Sequence, residues 1–64
     1  METSQRILDM RRQLESVATG LGDESLEIIR GAVERGETKR PAEDKLVLQA
    51  RRSVEKAIRC LERL

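Results

Sequence analysis

The side chains that enzymes most often use for covalent or metal chemistry are nearly absent from this sequence. It contains no histidine, and its one cysteine, Cys60, has no partner thiol. Transition-metal sites built on His or Cys are therefore disfavoured, and Ser/His or Cys/His nucleophilic catalysis is excluded. The carboxylates that could act in acid–base chemistry lie among arginines on polar helix faces, as on a solvated surface: Glu24, Glu27, Glu34 and Glu37. We expect a non-enzymatic protein without cofactor or metal.

Cys60 lies beside an apolar helical stripe near the end of the chain. A single cysteine cannot build an internal disulfide framework. Two interpretations remain open. Cys60 is either a partly buried small hydrophobic side chain or a contact between two copies of the chain that oxidation would cross-link.

The composition describes a small, charged chain with a thin aliphatic core. Its 64 residues approach the lower size limit for folding alone, and none is Phe, Tyr or Trp. Basic and acidic residues nearly balance, 13 against 12, which argues against a dedicated polyanion-binding protein. No stretch approaches the roughly 18 apolar residues of a membrane span, and no signal peptide precedes the first predicted helix. We expect a single cytoplasmic domain that makes no membrane contact and self-associates.

Two apolar heptad patterns give the strongest structural signal. The first comprises Ile7, Met10, Leu14, Val17 and Leu21, and the second comprises Val47, Ala50, Val54, Ala57, Leu61 and Leu64, flanked by Ile58. Alternating spacings of 3 and 4 place each set on one stripe of an α-helix, as in the seam of a coiled coil. We predict that a partner or a second copy binds these seams, through Ile7, Met10, Leu14, Val17, Leu21, Val47, Val54, Ile58 and Leu61.

Boundary signals predict three helices in one domain spanning 1–64, near residues 4–19, 24–35 and 41–63. Thr3 or Ser4 can cap the first helix, because either side chain can accept a hydrogen bond from a free backbone N–H. Gly20 would end that helix, because glycine readily adopts the left-handed conformation of a C-cap.

The second predicted helix is short. Asp23 or Ser25 would start it and Gly36 would end it, and Pro41 suits the first position of the third helix. The predicted fold is all-α, a small antiparallel bundle of two long heptad-patterned helices and a short middle helix. Since the middle helix cannot cover both seams, we expect a homodimer or a larger assembly.

The segment from Leu21 to Leu26 reads Leu-Gly-Asp-Glu-Ser-Leu. It resembles the phosphopantetheine attachment motif of acyl carrier proteins, in which a serine follows an acidic residue, precedes a leucine and opens a helix. The resemblance covers these six residues and implies that Ser25 carries the prosthetic group. The alternative is that Ser25 only starts a helix.

The third predicted helix carries a basic row on the side opposite its seam: Lys45, Arg52, Lys56, Arg59 and Arg63. A row of cations on a straight helix can follow phosphates, and helical modules use such a face in a DNA groove. The other interpretation is a solvated surface whose cations pair with Glu55 and Glu62.

These observations favour a small protein–protein interaction module or regulator, of adaptor, inhibitor or antitoxin type, that acts through its apolar seams. Its partner would be another protein, a second copy, or both. The alternative is a helical regulator that binds nucleic acid through the basic row, and a third interpretation is a carrier modified at Ser25. The preferred grouping is an analogy from size and fold.

Overall fold

Two α-helices make up this chain in a computed structural model that describes residues 4–64. Helix α1 spans Gln5–Glu34, helix α2 spans Ala42–Glu62, and a short loop joins them. The helices pack as an antiparallel hairpin whose Cα atoms extend over 53 × 14 × 10 Å. No helix within residues 4–64 is long and apolar enough to cross a membrane.

Both ends of α1 are closed by local hydrogen bonds. The Ser4 hydroxyl accepts a hydrogen bond from the backbone N–H of Ile7 at 3.2 Å. At the other end Gly36 adopts φ +75°, and the hydrogen bonds of a Schellman motif connect the chain there to the last helical turn. The predicted boundaries at Ser4 and Gly36 are thus confirmed, whereas Thr3 lies outside the described residues.

The predicted bundle of three helices is wrong, because the predicted helices near 4–19 and 24–35 are one continuous helix. Gly20 does not end α1, and neither Asp23 nor Ser25 starts a new helix. A glycine inside a helix costs about 1 kcal/mol relative to alanine. A continuous helix, however, keeps its backbone hydrogen bonds and an unbroken contact with α2. Packing against α2 therefore overrides the local signal of the glycine.

Helix α2 matches the third predicted helix closely. It begins at Ala42, so Pro41 is the N-cap residue in an extended conformation rather than the predicted first residue of the helix. Glu43 and Asp44 in the first turn and Arg59 in the last turn carry the charges that the helix dipole favours at those ends. The predicted helix near 41–63 is confirmed.

Small side chains line α1 where it meets α2. Ala18, Ser25 and Ala32 lie seven residues apart and are buried, as is Asp44 in α2. Among the described residues, the buried hydrophobic residues are the two alanines, which are 8% and 3% exposed, and every larger aliphatic residue is more exposed than these. The two helices pack together without a large aliphatic core.

Candidate interaction surface

Two contacts define which residues face each other across the hairpin. Ser25 donates a hydrogen bond to Asp44, and the backbone at Gly22 lies against Arg51. Each helix thus presents a column of residues, spaced by seven, to the other helix. These contact columns are Arg11, Ala18, Ser25 and Ala32 in α1, and Asp44, Arg51 and Ile58 in α2.

Each contact column separates two flanks of its helix. Successive residues are about 100° apart around an α-helix, so the residues just before and just after a column position lie on opposite sides of it. In α1, Val17 precedes the column residue Ala18, whereas Leu26 follows the column residue Ser25. We call these the preceding flank and the following flank.

The following flanks of both helices meet in a shallow groove of about 380 Å³. Thr19, Gly22 and Leu26 of α1 line it together with Leu48 and Arg51 of α2. Because the two helices are antiparallel, both following flanks lie on the groove side of the hairpin and both preceding flanks lie on the opposite side. The hairpin is therefore two-sided.

The preceding flanks form an apolar face that both helices build. Val17 is 49% exposed and Met10 is 45% exposed on this face, while most of its other members are half-buried. The apolar face comprises Ile7, Met10, Leu14, Val17, Leu21 and Ile28 of α1 with Val47, Ala50, Val54, Ala57 and Leu61 of α2.

Charged residues occur on the preceding flanks only near the ends of the hairpin. Glu24 and Glu43 lie toward the loop. Arg6 lies toward the opposite end of α1, and because it is 18 residues, or about five turns, before Glu24, it points to the same side. The loop end of the apolar face carries charges of both signs, because the Arg35 guanidinium lies over Gly31 on the same flank.

The predicted seam residues lie on the apolar face, with one exception. Ile58 is half-buried, and its spacing of seven residues from Arg51 places it in the contact column of α2. Ile28, which the predicted seams left out, continues the α1 stripe beyond the expected break. Most members of these stripes are half-buried and border the contact between the helices on one side of the hairpin, and their binding to a partner stays a prediction.

A buried polar cluster closes the loop end of the hairpin. The Ser25 hydroxyl and the Arg40 guanidinium donate hydrogen bonds to different oxygens of the Asp44 carboxylate. Asp44 has no exposed surface and Ser25 is 5% exposed. The two hydrogen bonds, with that of Ser25 contributing most, hold the pKa of Asp44 below its ordinary value. The cluster therefore holds a buried, ionised carboxylate between the two helices.

Arg51 packs its guanidinium against the backbone of α1 at Gly22. A Cβ atom built at Gly22 would lie 2.8 Å from Nη1 of Arg51, so glycine leaves the space that this contact occupies. The Nε atom of Arg51 is enclosed and has no hydrogen-bond partner in the described part of the chain. Arg51 thus places a positive charge in the wall of the groove.

The predicted basic row lies exposed along α2. Within residues 4–64 none of its members forms an ion pair, and neither Glu55 nor Glu62 is paired with them. The arginines of α1 behave differently, since Arg11 and Arg30 pair with carboxylates three or four residues away. The basic row is Lys45, Arg52, Lys56, Arg59 and Arg63.

Ser25 and Cys60 occupy contrasting environments. Ser25 lies inside α1, and its hydroxyl donates a hydrogen bond to Asp44. It therefore does not open a helix, as the acyl carrier resemblance implied. Cys60 is exposed on α2. Ser25 is therefore a structural contact between the helices.

Comparisons with protein-family models, with curated proteins and with solved structures find no match to this chain. Within residues 4–64 no group of three acidic or sulfur side chains is placed to hold a metal ion. The two candidate binding surfaces are the apolar face and the basic row.

Proposed function

We propose that this chain is a non-enzymatic interaction module that assembles with protein through its apolar face. The observation that carries the proposal is the contrast between this face and the interior. On the face Val17 and Met10 are 49% and 45% exposed, whereas the buried hydrophobic residues within residues 4–64 are two alanines, Ala18 and Ala32. Contiguous exposed apolar patches on a charged protein mark protein association sites.

The energetics support the same proposal. A chain of 64 residues seldom gains more than about 3–5 kcal/mol from one complete hydrophobic core, and this hairpin has only part of one. Covering the apolar face removes aliphatic surface from water at about 25 cal/mol per Å². Binding thus completes the core and stabilises the hairpin in the same step.

Site-specific photo-crosslinking in the native host tests this proposal. A photoreactive residue at Val17 on the apolar face is compared with one at Leu26 on the groove side, because the two positions are 49% and 54% exposed in the isolated hairpin. We expect discrete protein adducts from position 17 and none of comparable yield from position 26. Adducts of equal yield from the two positions, or none from position 17, would contradict the proposal.

A second candidate function rests on the basic row of α2. Five exposed cations on one helix, which have no carboxylate partner within residues 4–64, form a surface that can contact a phosphate backbone. The balanced net charge of +1 weakens long-range attraction to a polyanion. We therefore rank this function second.

Salt titration of duplex binding tests the second candidate. Phosphate binding by the row predicts that affinity falls steeply as salt rises, and that single substitutions such as Arg52→Ala and Lys56→Ala each reduce the salt dependence by a similar amount. Affinity for DNA no greater than affinity for heparin, with no effect of these substitutions, would leave the apolar face as the functional surface.

A further inference from the structure

We infer that the basic row and Arg51 form one phosphate-binding face on the groove side of the hairpin, and that this face holds a nucleic-acid duplex independently of the apolar face on the opposite side. The inference rests on the second candidate function, to which it adds a residue, a position in the fold and the class of polyanion. Three observations carry it: the row adjoins the groove, its arc of α2 bears only positive charge, and the Arg51 guanidinium is held in place.

The basic row and the groove lie on the same side of the hairpin. Lys45 and Arg52 directly follow two residues of the α2 contact column, so they belong to the following flank. With Arg40 and Leu48 they line a depression of about 390 Å³. Arg40 and Leu48 also line the groove that contains Arg51, so the depression and the groove adjoin. The row therefore begins beside Arg51, on the side away from the apolar face.

The arc of α2 that carries the row is positive along its whole length. From Lys45 to Arg59 the row covers 14 residues, or about 21 Å, and Arg63 continues it. The other residues on this arc, Gln49 and Cys60, are exposed and carry no carboxylate. The arc thus presents an uninterrupted line of cations to the solvent.

The net charge of +1 does not represent this side of the hairpin. Glu27 and Glu34 each lie two residues after a column position, about 200° around α1, so they point away from α2. Glu55 and Glu62 lie nearer to the row, but within residues 4–64 neither forms an ion pair with it. Because salt at physiological strength screens exposed charges over about 8 Å, a bound polyanion responds mainly to the cations that it touches.

Arg51 adds a fixed cation to this face. Its guanidinium lies against the backbone of α1 at Gly22, and its Nε atom is enclosed without a hydrogen-bond partner in the described part of the chain. Within residues 4–64 no carboxylate pairs with Arg51. A guanidinium already held in place loses little side-chain entropy on binding, and its planar fork fits two phosphate oxygens. Arg51 therefore extends the phosphate-binding face from the row into the groove.

The composition of the face favours a duplex over other acidic partners. Within residues 45–63 no exposed aliphatic side chain lies on the arc of the row, whereas protein interfaces and membrane-bound helices need an apolar part beside their charges. The sequence has no aromatic residue on which the bases of a single strand could stack. Phosphates recur about every 3.4 Å along each strand of a duplex, so a straight row of cations meets several of them. We expect binding that is independent of base sequence.

Anisotropy measurements with a labelled duplex of mixed sequence test the face. We expect affinity to fall linearly with salt on logarithmic axes, and Arg51→Ala to reduce the slope by about 1, as Arg52→Ala does. The matched control is Arg30→Ala, which removes the same charge from a residue that pairs with Glu27 on α1. It should leave the slope nearly unchanged. An equal reduction by Arg30→Ala and Arg51→Ala would show diffuse attraction to net charge and would overturn the inference.

A second variant keeps the test decisive if Arg51→Ala fails to fold. Arg51→Lys retains the charge but loses the planar fork, so it should weaken duplex binding by about threefold or more. No weakening by either variant, in a chain with unchanged helical circular dichroism, would exclude Arg51 from the face. Failure of the wild-type chain to bind any duplex at low salt would instead reject the second candidate function as a whole.

Independence from the apolar face is tested in the same assay. Val17→Ser makes that face less apolar without adding charge, and it should leave duplex affinity within about threefold. A loss of about tenfold or more would show that duplex binding requires the apolar face, and would overturn the independence. Protein adducts from a photoreactive residue at position 26 that a duplex displaces would place an acidic protein in the groove, and would overturn the choice of a duplex.

Discussion

The hydroxyl of Ser25 in α1 donates a hydrogen bond to the carboxylate of Asp44 in the first turn of α2, and this buried contact ties the helices together near the loop. Arg40 donates to the other carboxylate oxygen. Sliding α2 along α1 by one turn would remove the Ser25 donor from a buried charge, which is costly in an apolar surrounding. We infer that this pair sets the register of the hairpin.

Acid should destabilise the hairpin through Asp44. Hydrogen bonds from Ser25 and Arg40 hold the pKa of Asp44 below its ordinary value of 3.8. A carboxylate whose pKa is lower in the folded chain stabilises the fold above its unfolded pKa, and that stabilisation is lost as pH falls through the folded pKa. We expect helical circular dichroism to fall and the melting temperature to drop below about pH 4.

Two substitutions assign this acid transition. Asp44→Asn should lower stability at neutral pH, because it removes the buried charge from its two donors, and should reduce the further loss on acidification. The control is Asp9→Asn, since Asp9 is exposed on α1. It should leave the acid transition nearly unchanged. An acid transition of equal size in the wild type and in Asp44→Asn would show that other carboxylates cause it.

Gly20 and Gly22 should respond differently to alanine. A Cβ atom at Gly20 meets nothing within 4 Å, so Gly20→Ala should stabilise the chain by about 1 kcal/mol through helix propensity. At Gly22 the Cβ atom would lie 2.8 Å from Nη1 of Arg51, and the guanidinium must move to admit it. Gly22→Ala should therefore gain less than Gly20→Ala in urea unfolding.

The contact with Arg51 can be separated from helix propensity by a double-mutant cycle. In an Arg51→Ala background the two alanine substitutions should have nearly equal effects, because the guanidinium that opposes the Cβ atom at Gly22 is gone. If Gly22→Ala gained as much as Gly20→Ala in the wild-type background, the close packing of Arg51 on α1 would be contradicted.

Gly36→Ala tests the end of α1. Gly36 holds φ +75°, a left-handed conformation that costs an L-residue about 1–2 kcal/mol. Because nothing lies within 4 Å of a Cβ atom at this position, the cost should come from the backbone alone. We expect a loss of about 1 kcal/mol in unfolding experiments. A gain like that expected for Gly20→Ala would mean that α1 does not end at Gly36.

The sequence predicts the ends of the hairpin well because those ends depend on local chemistry. The Ser4 cap, the turn at Gly36 and the start of α2 after Pro41 all use contacts within a few residues. The break predicted at Gly20 is wrong because the helix-breaking tendency of one glycine is weaker than packing of the continuous apolar stripe. Large aliphatic residues recur every seven positions across that point without a change of phase, at Ile7, Leu14, Leu21 and Ile28.

The composition of the apolar seams does not predict which residues of each helix face the other helix. The sequence predicts the seams as surfaces that a partner binds, but it does not predict that Ala18, Ser25 and Ala32 are the buried residues of α1. Small residues let the helices approach closely and leave the larger side chains to the two flanks, as at Val17 on one side and Leu26 on the other. The pairing of Ser25 with Asp44 was also missed, since it depends on how two antiparallel helices are aligned and not on a local pattern.

Covering of the apolar face is the central claim, and thiol labelling measures it directly. Val17→Cys and Leu26→Cys, each in a Cys60→Ser chain, place a thiol on the apolar face or on the groove side of α1, at positions that are 49% and 54% exposed in the isolated hairpin. We predict that Cys at position 17 reacts at least about tenfold more slowly than Cys at position 26 at high micromolar concentration, and that dilution removes this protection. Equal labelling rates at every concentration would contradict covering of the apolar face by a second copy of the chain.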